Sequence, residues 1–197
     1  MLVFNISYPR VGTTSLHTFL EAHGLKCLRI DTLLRDTFAF AKPLRWDNVK
    51  THDVLGDVPY PLPEIYTLAY LKYPGAKFIL FERYIEDWLR SIEALWNVNC
   101  VREGAWYFDE NPNPNLAINQ SLYGSAVFGR ETWARSYTNR MAFAKEFFAD
   151  KQDCFLYLSL YEDNNVKADK ICEFLGLEKK THFPHENLRS IGPTQIW

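Results

Sequence analysis

The sequence lacks the features that mark a secreted, metal-binding or membrane-spanning protein. It has four cysteines, with no CxxC pair and no histidine at metal-ligand spacing from any of them: Cys27, Cys100, Cys154 and Cys172. No apolar run reaches the roughly 18 residues of a membrane span, and the first apolar segment begins at residue 2, which leaves no signal peptide. We therefore expect reduced thiols, no bound metal, no membrane association and a cytoplasmic location.

Neither sign of charge is in excess. The 22 basic and 24 acidic residues give a formal net charge of −2, so a nucleic-acid partner is disfavoured and any anion site must be local. The 197 residues, 47% of them hydrophobic, suffice for one well-buried core, and no linker or repeat divides them. We predict a single domain over residues 1–197, and the sequence gives no indication of the oligomeric state.

Strand-like and helix-like patterns alternate along the chain, which predicts an α/β fold with a parallel sheet flanked by helices. Strands are predicted over residues 2–7, 25–30, 76–81 and 154–159, and helices over residues 15–23, 62–73, 85–96, 131–148 and 165–175. Residues 97–129 are rich in aromatic residues and contain an Asn-Pro-Asn-Pro-Asn run. This segment is predicted to be an irregular excursion over one end of the sheet.

The most informative segment is residues 8–16, Tyr-Pro-Arg-Val-Gly-Thr-Thr-Ser-Leu, between the first strand and the first helix. Gly12 lets the backbone approach an anion closely, and Arg10 supplies a cation. The three residues after the glycine carry hydroxyls at the helix N-terminus: Thr13, Thr14 and Ser15. Backbone N–H groups, the positive helix end and a guanidinium would all point at one oxyanion. The alternative is a capped helix without a ligand.

The same loop argues against nucleoside triphosphate hydrolysis. A P-loop of the form GxxxxGK[ST] has a lysine after its last glycine and a hydroxyl for magnesium. Here Gly12 is followed by Thr13, and the cation, Arg10, comes before the glycine. A magnesium-dependent small-molecule kinase on the same fold is therefore a weaker alternative.

A second anion site is predicted after the strand at residues 76–81, because ligands of open α/β sheets bind at the carboxyl ends of the strands. Arg83 follows that strand, and Ser91 lies eight residues later, close to two helical turns. Both side chains can then face one small volume, where a guanidinium and a hydroxyl suit a terminal phosphate. The alternative is that Arg83 pairs with a neighbouring carboxylate: Glu82, Glu86 or Asp87.

Together these sites resemble those of PAPS-dependent sulfotransferases. Residues 8–14 resemble the family's 5′-phosphosulfate loop, YPKSGTT, and Arg83 with Ser91 matches its 3′-phosphate pair at the same separation. Residues 73–80 resemble the family's YPxAKxIL segment, and residues 161–163 with 171–177 resemble its YEDL and CEFLGL segments. The resemblance implies a P-loop-like three-layer fold, the donor 3′-phosphoadenosine 5′-phosphosulfate (PAPS), the product PAP, and no metal.

The resemblance also assigns donor-binding roles, with some departures. Arg10 stands at the position of the family's catalytic lysine, Val11 replaces a serine and Ser15 replaces a tryptophan. Arg10 can stabilise charge but cannot easily donate a proton. The C-terminal RKGxxG signature is absent, and Arg189 in Arg-Ser-Ile-Gly is its only remnant, with a solvated tail as the alternative. A PAP-binding module without transfer activity therefore stays open.

Two residues are candidates for the base that removes the acceptor proton. Asp57 is the first, because it follows a short strand at residues 54–56 and related sulfotransferases often carry an acid or a histidine there. His52 is the second, because its pKa lies near neutrality. Alternatively, Asp57 caps the helix near Pro61 and His52 is exposed to solvent.

The predicted function is transfer of a sulfuryl group to a hydroxyl or amine of a small-molecule or glycan acceptor. Aromatic residues crowd the irregular segment and its edge: Trp96, Trp106, Tyr107, Phe108, Tyr123, Phe128 and Trp133. They would form either the wall of an acceptor pocket or part of the core. The sequence does not distinguish a phenol, an alcohol, a sugar or an amine.

Overall fold

A computed structural model describes residues 1–97, 114–179 and 181–184. In these residues five strands form one parallel sheet in the order β2-β3-β1-β4-β5. The strands are β1 (Val3–Asn5), β2 (Cys27–Leu28), β3 (Val54–Gly56), β4 (Lys77–Glu82) and β5 (Phe155–Ser159). The predicted α/β class with a parallel sheet is confirmed.

Seven α-helices connect and cover the strands within the described ranges. They are α1 (Thr13–Ala22), α2 (Thr32–Ala39), α3 (Pro63–Lys72), α4 (Ile85–Trp96), α5 (Pro114–Tyr123), α6 (Arg130–Phe147) and α7 (Asn164–Leu175). The bounds of α4 agree with the prediction, and those of α3, α6 and α7 agree to within one residue. None of these helices is long and apolar enough to cross a membrane.

The prediction of an irregular segment over residues 97–129 is wrong for α5. Ile118 and Leu122 are buried at helical spacing, and Pro114 stands at the first position of the helix, where its fixed φ is favourable. The last two residues of the Asn-Pro run that suggested a loop, Pro114 and Asn115, are therefore helical. Residues 98–113 lie outside the described part of the chain.

Helices cover both faces of the sheet. Successive residues of β1 and β3 are buried, and so are the four middle residues of β4, which requires packing on each side. On one face Phe4 stacks on Phe78 with ring centroids 5.3 Å apart and tilts against Tyr60 at 5.5 Å. The result is the three-layer arrangement expected for a parallel α/β sheet.

The register of the sheet brings three strand ends together. Asn5 at the end of β1 lies beside Gly56 at the end of β3 and beside Ile79 of β4, which continues to Glu82. The chain that follows β1 therefore emerges between the segments that follow β3 and β4. Loops at this edge carry the candidate site, as expected for an open parallel sheet.

Candidate functional site

Hydrogen bonds to neighbouring elements hold the segment between β1 and Arg10 in place. Ser7 N donates to Asn5 Oδ1 at 3.1 Å, and Phe81 N of β4 donates to Ser7 Oγ at 2.8 Å. Trp88 Nε1 of α4 donates to the Pro9 carbonyl at 3.0 Å. The start of the loop is therefore anchored to β4, which Arg83 directly follows, and to α4, which carries Ser91.

Gly12 is required mainly by its conformation. Its φ is 94°, in the left-handed region, and a Cβ on it would lie 2.8 Å from Leu160 Cδ1. Arg10 also has a positive φ, 71°, which costs a non-glycine residue about 1 kcal/mol. Strain of this kind persists only where the surrounding structure imposes it, and it clusters at functional loops.

The residues after Arg10 offer mainly backbone to a ligand. Val11 stands where the resembling loop motif has a serine, so the hydroxyl of that serine is missing here. The valine side chain is fully buried and leaves the loop closed. Thr13 and Ser15 are also buried, whereas Thr14 is half-buried. The N-terminus of α1, which Gly12 caps, directs its first N–H groups toward the loop.

Arg10, Arg83 and Ser91 converge although more than 70 residues separate the first from the other two. Arg10 Nε donates to Ser91 Oγ at 3.0 Å, and Arg83 Nη1 donates to the Arg10 carbonyl at 3.0 Å. Arg83 Nε is buried without a hydrogen-bond partner among the described residues. A buried, unsatisfied guanidinium N–H is costly unless an acceptor such as a phosphate oxygen arrives.

The carboxylates considered as alternative partners of Arg83 pair with other cations. Glu82 Oε2 lies 3.0 Å from Lys145 Nζ, and Glu86 Oε2 lies 2.6 Å from Arg130 Nη2. Asp87 pairs with Arg90. The Arg83 guanidinium is held toward the loop by its bond to the Arg10 carbonyl, and it also bonds to the Tyr161 hydroxyl and lowers the pKa of Asp87 through its charge.

Tyr137 of α6 holds the backbone at Arg83. Its hydroxyl accepts from Arg83 N at 3.0 Å and donates to Arg83 O at 2.9 Å. Its ring stacks on Trp88 with centroids 4.4 Å apart, and burial raises the pKa of the hydroxyl, which keeps it protonated. Sequence reasoning missed Tyr137 and Trp88, because apolar spacing within a helix is the pattern of core residues.

Tyr161 was also missed as a single residue, although its segment carried part of the resemblance. Its ring stacks on Tyr84 with centroids 4.1 Å apart, and both rings are exposed. Its hydroxyl donates to the Asp87 carboxylate, a bond that lowers the pKa of Asp87. The stacked pair forms an exposed aromatic rim directly beside Arg83.

Asp57 lies against the loop. Its carboxylate accepts from Val58 N at 2.9 Å and from the Thr13 hydroxyl. Burial raises the pKa of Asp57 to about 6, although the Val58 N–H, the Thr13 hydroxyl and the Arg10 charge each lower it. Asp57 is therefore a partly desolvated carboxylate beside Arg10, and the alternative that it caps α3 is wrong because Leu62 occupies that position.

His52 lies at the other end of β3. Its Nδ1 is 3.2 Å from the Asn48 carbonyl and 3.0 Å from Thr51 Oγ1. The three residues of β3, about 10 Å of extended chain, separate it from Asp57 at the loop edge. The structure does not bring His52 to the site, so its predicted role as a base is not supported.

His17 of α1 is buried against Gly56 at the end of β3. It is 1% exposed, and burial lowers its pKa to about 4, so the ring is neutral. A Cβ on Gly56 would lie 2.3 Å from His17 Nε2, so a glycine there leaves space for the imidazole. In the described ranges no group of three His, Cys, Asp or Glu residues could hold a metal ion.

Several aromatic residues considered for an acceptor wall belong to the core instead. Tyr123 and Trp133 stack at 3.9 Å and are 3% and 1% exposed. Trp96 and Phe128 are half-buried and pack against Trp133 at 5.8 and 5.1 Å. Trp106, Tyr107, Phe108 and Arg189 lie outside the described residues.

Comparison with known proteins gives two findings at the level of family and fold. A family model described as "Sulfotransferase domain" matches residues 2–191. Among solved structures, the chain is similar to a sulfotransferase from Alicyclobacillus acidocaldarius, with 15% identity, 96% of this chain and 86% of that chain covered, and a TM-score of 0.57. At this identity the likeness shows a shared fold.

A gluconokinase from Sinorhizobium meliloti 1021 is similar at a lower level. The identity is 11%, the alignment covers 76% of this chain and 97% of that chain, and the TM-score of 0.34 is too low to support an argument. No curated protein sequence matches this chain at a significant level.

Proposed function

Because this chain belongs to the sulfotransferase domain family, we propose that it transfers a sulfuryl group from PAPS to a hydroxyl or amine of a small-molecule or glycan acceptor. The observation that carries the proposal is the meeting of Arg10, Arg83 and Ser91 at one edge of the sheet. The resemblance assigns these residues to the two phosphate-bearing ends of the donor. Their contacts support one continuous site for both ends.

The residues present fit such a donor. The strained turn at Arg10 and Gly12 and the N-terminus of α1 provide backbone N–H groups and a positive helix end for a 5′-phosphosulfate. Arg83, with its unsatisfied Nε, and the Ser91 hydroxyl provide charge-assisted and neutral donors for a 3′-phosphate. When bound, PAPS supplies an activated sulfuryl group and a stable leaving phosphate.

Arg10 is the residue that stabilises developing charge. Its guanidinium lies next to the loop and acts on Asp57 electrostatically, so it can face the bridging oxygen at which negative charge grows during in-line transfer. Its Nε bond to Ser91 joins it to the proposed 3′-phosphate site. Ser91 Oγ accepts from Arg10, so its O–H can donate to a 3′-phosphate while this bond stays in place.

Asp57 is the proposed base. A carboxylate with a pKa of about 6 is mostly ionised at pH 7 and is a stronger base than an exposed aspartate. Asp57 would take the proton of the acceptor hydroxyl. The positive charge of Arg10 lowers the pKa of Asp57 and so favours its ionised form. The Thr13 hydroxyl holds its orientation.

The function is tested with PAPS and a panel of phenols, alcohols, sugars and amines, with product masses measured after incubation. The expected result is a sulfated product and an equal amount of PAP, formed in the presence of a chelator. Binding of PAP without any product from the panel would favour a donor-binding module. Turnover that requires magnesium and ATP would support the kinase and contradict the proposal.

A further inference from the structure

A groove opens between the first turn of α3 and the middle of α6, away from Arg83 and Ser91. Its volume is about 490 Å³, and its lining residues are Pro63, Glu64, Thr67, Asn139, Arg140 and Phe143. The chain enters α3 directly after β3 and the turn at Asp57, so the groove lies at the loop edge of the sheet. It has one apolar wall, from Pro63 and Phe143, and one polar wall.

The polar wall presents a fixed cation. Arg140 donates to the Ser121 carbonyl, which anchors the guanidinium, and lies 4.0 Å from the Glu64 carboxylate. A guanidinium carries five N–H donors, so these contacts leave others for a ligand. The first turn of α3 borders the same space, but Pro63 has no N–H and the N–H groups of Ile65 and Tyr66 donate to the Leu62 carbonyl, so Arg140 is the main donor in the groove.

Tyr66 lies behind the groove, with its ring centroid 6.4 Å from that of the lining residue Phe143. The residue is 2% exposed, and its hydroxyl has no hydrogen-bond partner in the described part of the chain. Burial raises the pKa of the hydroxyl, and the charges of Arg140 and Glu64, both in the groove lining, act on it in opposite directions. A buried hydroxyl without a partner is destabilising, and a ligand oxygen beside Arg140 would satisfy it.

We propose that this groove is a binding site for a small monocarboxylate with an apolar body, separate from the donor site. A planar carboxylate suits the guanidinium fork, and the Tyr66 hydroxyl can donate to it. Phe143, 45% exposed, and Pro63 provide the surface for the apolar part of the molecule. Glu64 already balances the charge of Arg140, so a dianion such as phosphate or sulfate is disfavoured.

The groove is distinct from the phosphate-binding loop but adjacent to it. Tyr8, which begins the loop, is 2% exposed; burial raises the pKa of its hydroxyl, and the Arg140 charge lowers it. The groove lining contains none of the three residues Arg10, Arg83 and Ser91. A ligand in the groove would not contact Arg10 or Arg83, so its binding does not depend on sulfotransferase activity.

The test is an NMR titration of the whole chain with benzoate, with benzamide as an uncharged control of the same shape. Benzoate is expected to perturb residues 63–67 and 139–143, and benzamide to bind at least about tenfold more weakly because it lacks the charge-assisted bonds. Perturbations confined to the loop at residues 8–15 would overturn the proposal. Tighter binding of phosphate or sulfate than of benzoate would overturn the ligand class.

Three substitutions sharpen the test. Arg140→Gln is expected to weaken benzoate binding about tenfold or more, and Glu64→Gln to strengthen it roughly threefold. Arg135→Gln, at an exposed arginine of the same helix, is the matched control and should change nothing. Equal benzoate affinity in the Arg140→Gln and Arg135→Gln variants would overturn the proposal.

Tyr66→Phe separates ligand binding from a structural role. It removes an unsatisfied hydroxyl, so the free protein should be as stable as the wild type or more stable. Benzoate binding should nevertheless fall about tenfold, while PAP binding stays unchanged. A loss of stability together with unchanged benzoate affinity would contradict the role of the hydroxyl.

Discussion

At the scale of single residues, the unusual conformations and environments collect at the loop edge of the sheet. Arg10 and Asp57, two of the three non-glycine residues with a positive φ among the described residues, have φ values of 71° and 57°; the third is Ala41, just after α2. Asp57 also has a raised pKa, and Arg83 has a buried N–H without a partner among the described residues. Such strained and desolvated groups are expected where a protein binds a ligand and develops charge.

Arg10→Ala is expected to lower kcat about 100-fold or more, by comparison with the loss of an oxyanion donor. KM for PAPS should change much less, because the lost interaction strengthens in the transition state. Arg10→Lys keeps the charge and should recover much of the rate; both variants place a non-glycine residue at the same strained φ. Steady-state kinetics measures both effects, and an Arg10→Ala variant as active as the wild type would exclude this role.

Asp57→Asn should reduce kcat for alcohol acceptors at neutral pH and leave PAP binding unchanged, because it keeps the shape and removes the base. The loss should be smaller for acidic phenols, which are already partly ionised. The pH-rate profile for an alcohol should lose the limb with a pKa near 6. A variant that sulfates alcohols at the wild-type rate would show that the acceptor needs no protein base.

The same substitution has a pH-dependent effect on stability. A folded-state pKa of about 6, above the ordinary 3.8, means that ionised Asp57 opposes folding. This cost is absent below about pH 4, grows as pH rises to 6, and reaches about 2–3 kcal/mol above that. Urea unfolding should therefore show Asp57→Asn gaining stability over the wild type at pH 8 but not at pH 4. A difference that is the same at both pH values would contradict the raised pKa.

At the scale of secondary structure elements, α6 and α4 hold the segments that carry the residues proposed to bind phosphate. Trp88 of α4 bonds to the loop at Pro9, and Tyr137 of α6 bonds to both backbone groups of Arg83. The sequence predicted the site's local parts, because Gly12 and the Arg83–Ser91 spacing lie within single segments. It could not predict Tyr137, because that bond joins positions 54 residues apart and depends on helix packing.

The fold shows the same division between local and distant information. The helix at residues 85–96 was predicted correctly, because its apolar residues recur at helical spacing and a turn precedes it. α2 was not predicted: its Asp31 cap accepts from Leu34 N, but few of its residues are apolar and buried. β2 is only two residues long because its pairing with β3, not its sequence, sets its length.

Tyr137→Phe tests how strongly α6 controls the Arg83 segment. The ring can keep its stack on Trp88, but the two backbone groups of Arg83 lose their partner, at a cost of about 1–3 kcal/mol. Chemical denaturation should show this loss, and PAP affinity should fall more than AMP affinity. Tyr70→Phe is the control, since Tyr70 packs on Phe78 at the opposite end of β4. Equal effects of the two substitutions on PAP affinity would contradict the role of Tyr137.

At the scale of the whole molecule, the segment near the C-terminus is tied to the same sheet. Phe183 is 2% exposed and packs between Phe19 of α1 and Phe81 of β4, with centroids 5.5 and 5.6 Å away. Lys167 of α7 lies over its ring and donates to the Leu160 carbonyl at 2.9 Å. Leu160 in turn lies next to Gly12, since its Cδ1 is 2.8 Å from the position that a Cβ on Gly12 would take. Segments that are far apart in the sequence therefore support the same loop edge of the sheet.

Phe183→Ala is expected to destabilise the protein by about 3–5 kcal/mol, as other buried phenylalanine truncations do. Phe143→Ala removes an equal side chain that is 45% exposed, so its cost should be well below that. Thermal and urea unfolding measure the difference. A Phe183→Ala variant as stable as Phe143→Ala would mean that the segment at residues 181–184 is not part of the core in solution.

The most direct test of the account is a comparison of PAP and AMP binding by calorimetry without magnesium. PAP has the 3′-phosphate that Arg83 and Ser91 are proposed to bind, so it should bind about tenfold or more tightly than AMP. Arg83→Ala should abolish this preference, whereas Arg90→Ala, at an exposed arginine beside Ser91, should keep it. Equal affinity of the wild type for PAP and AMP, or binding that requires magnesium, would contradict the assignment of this edge as a donor site.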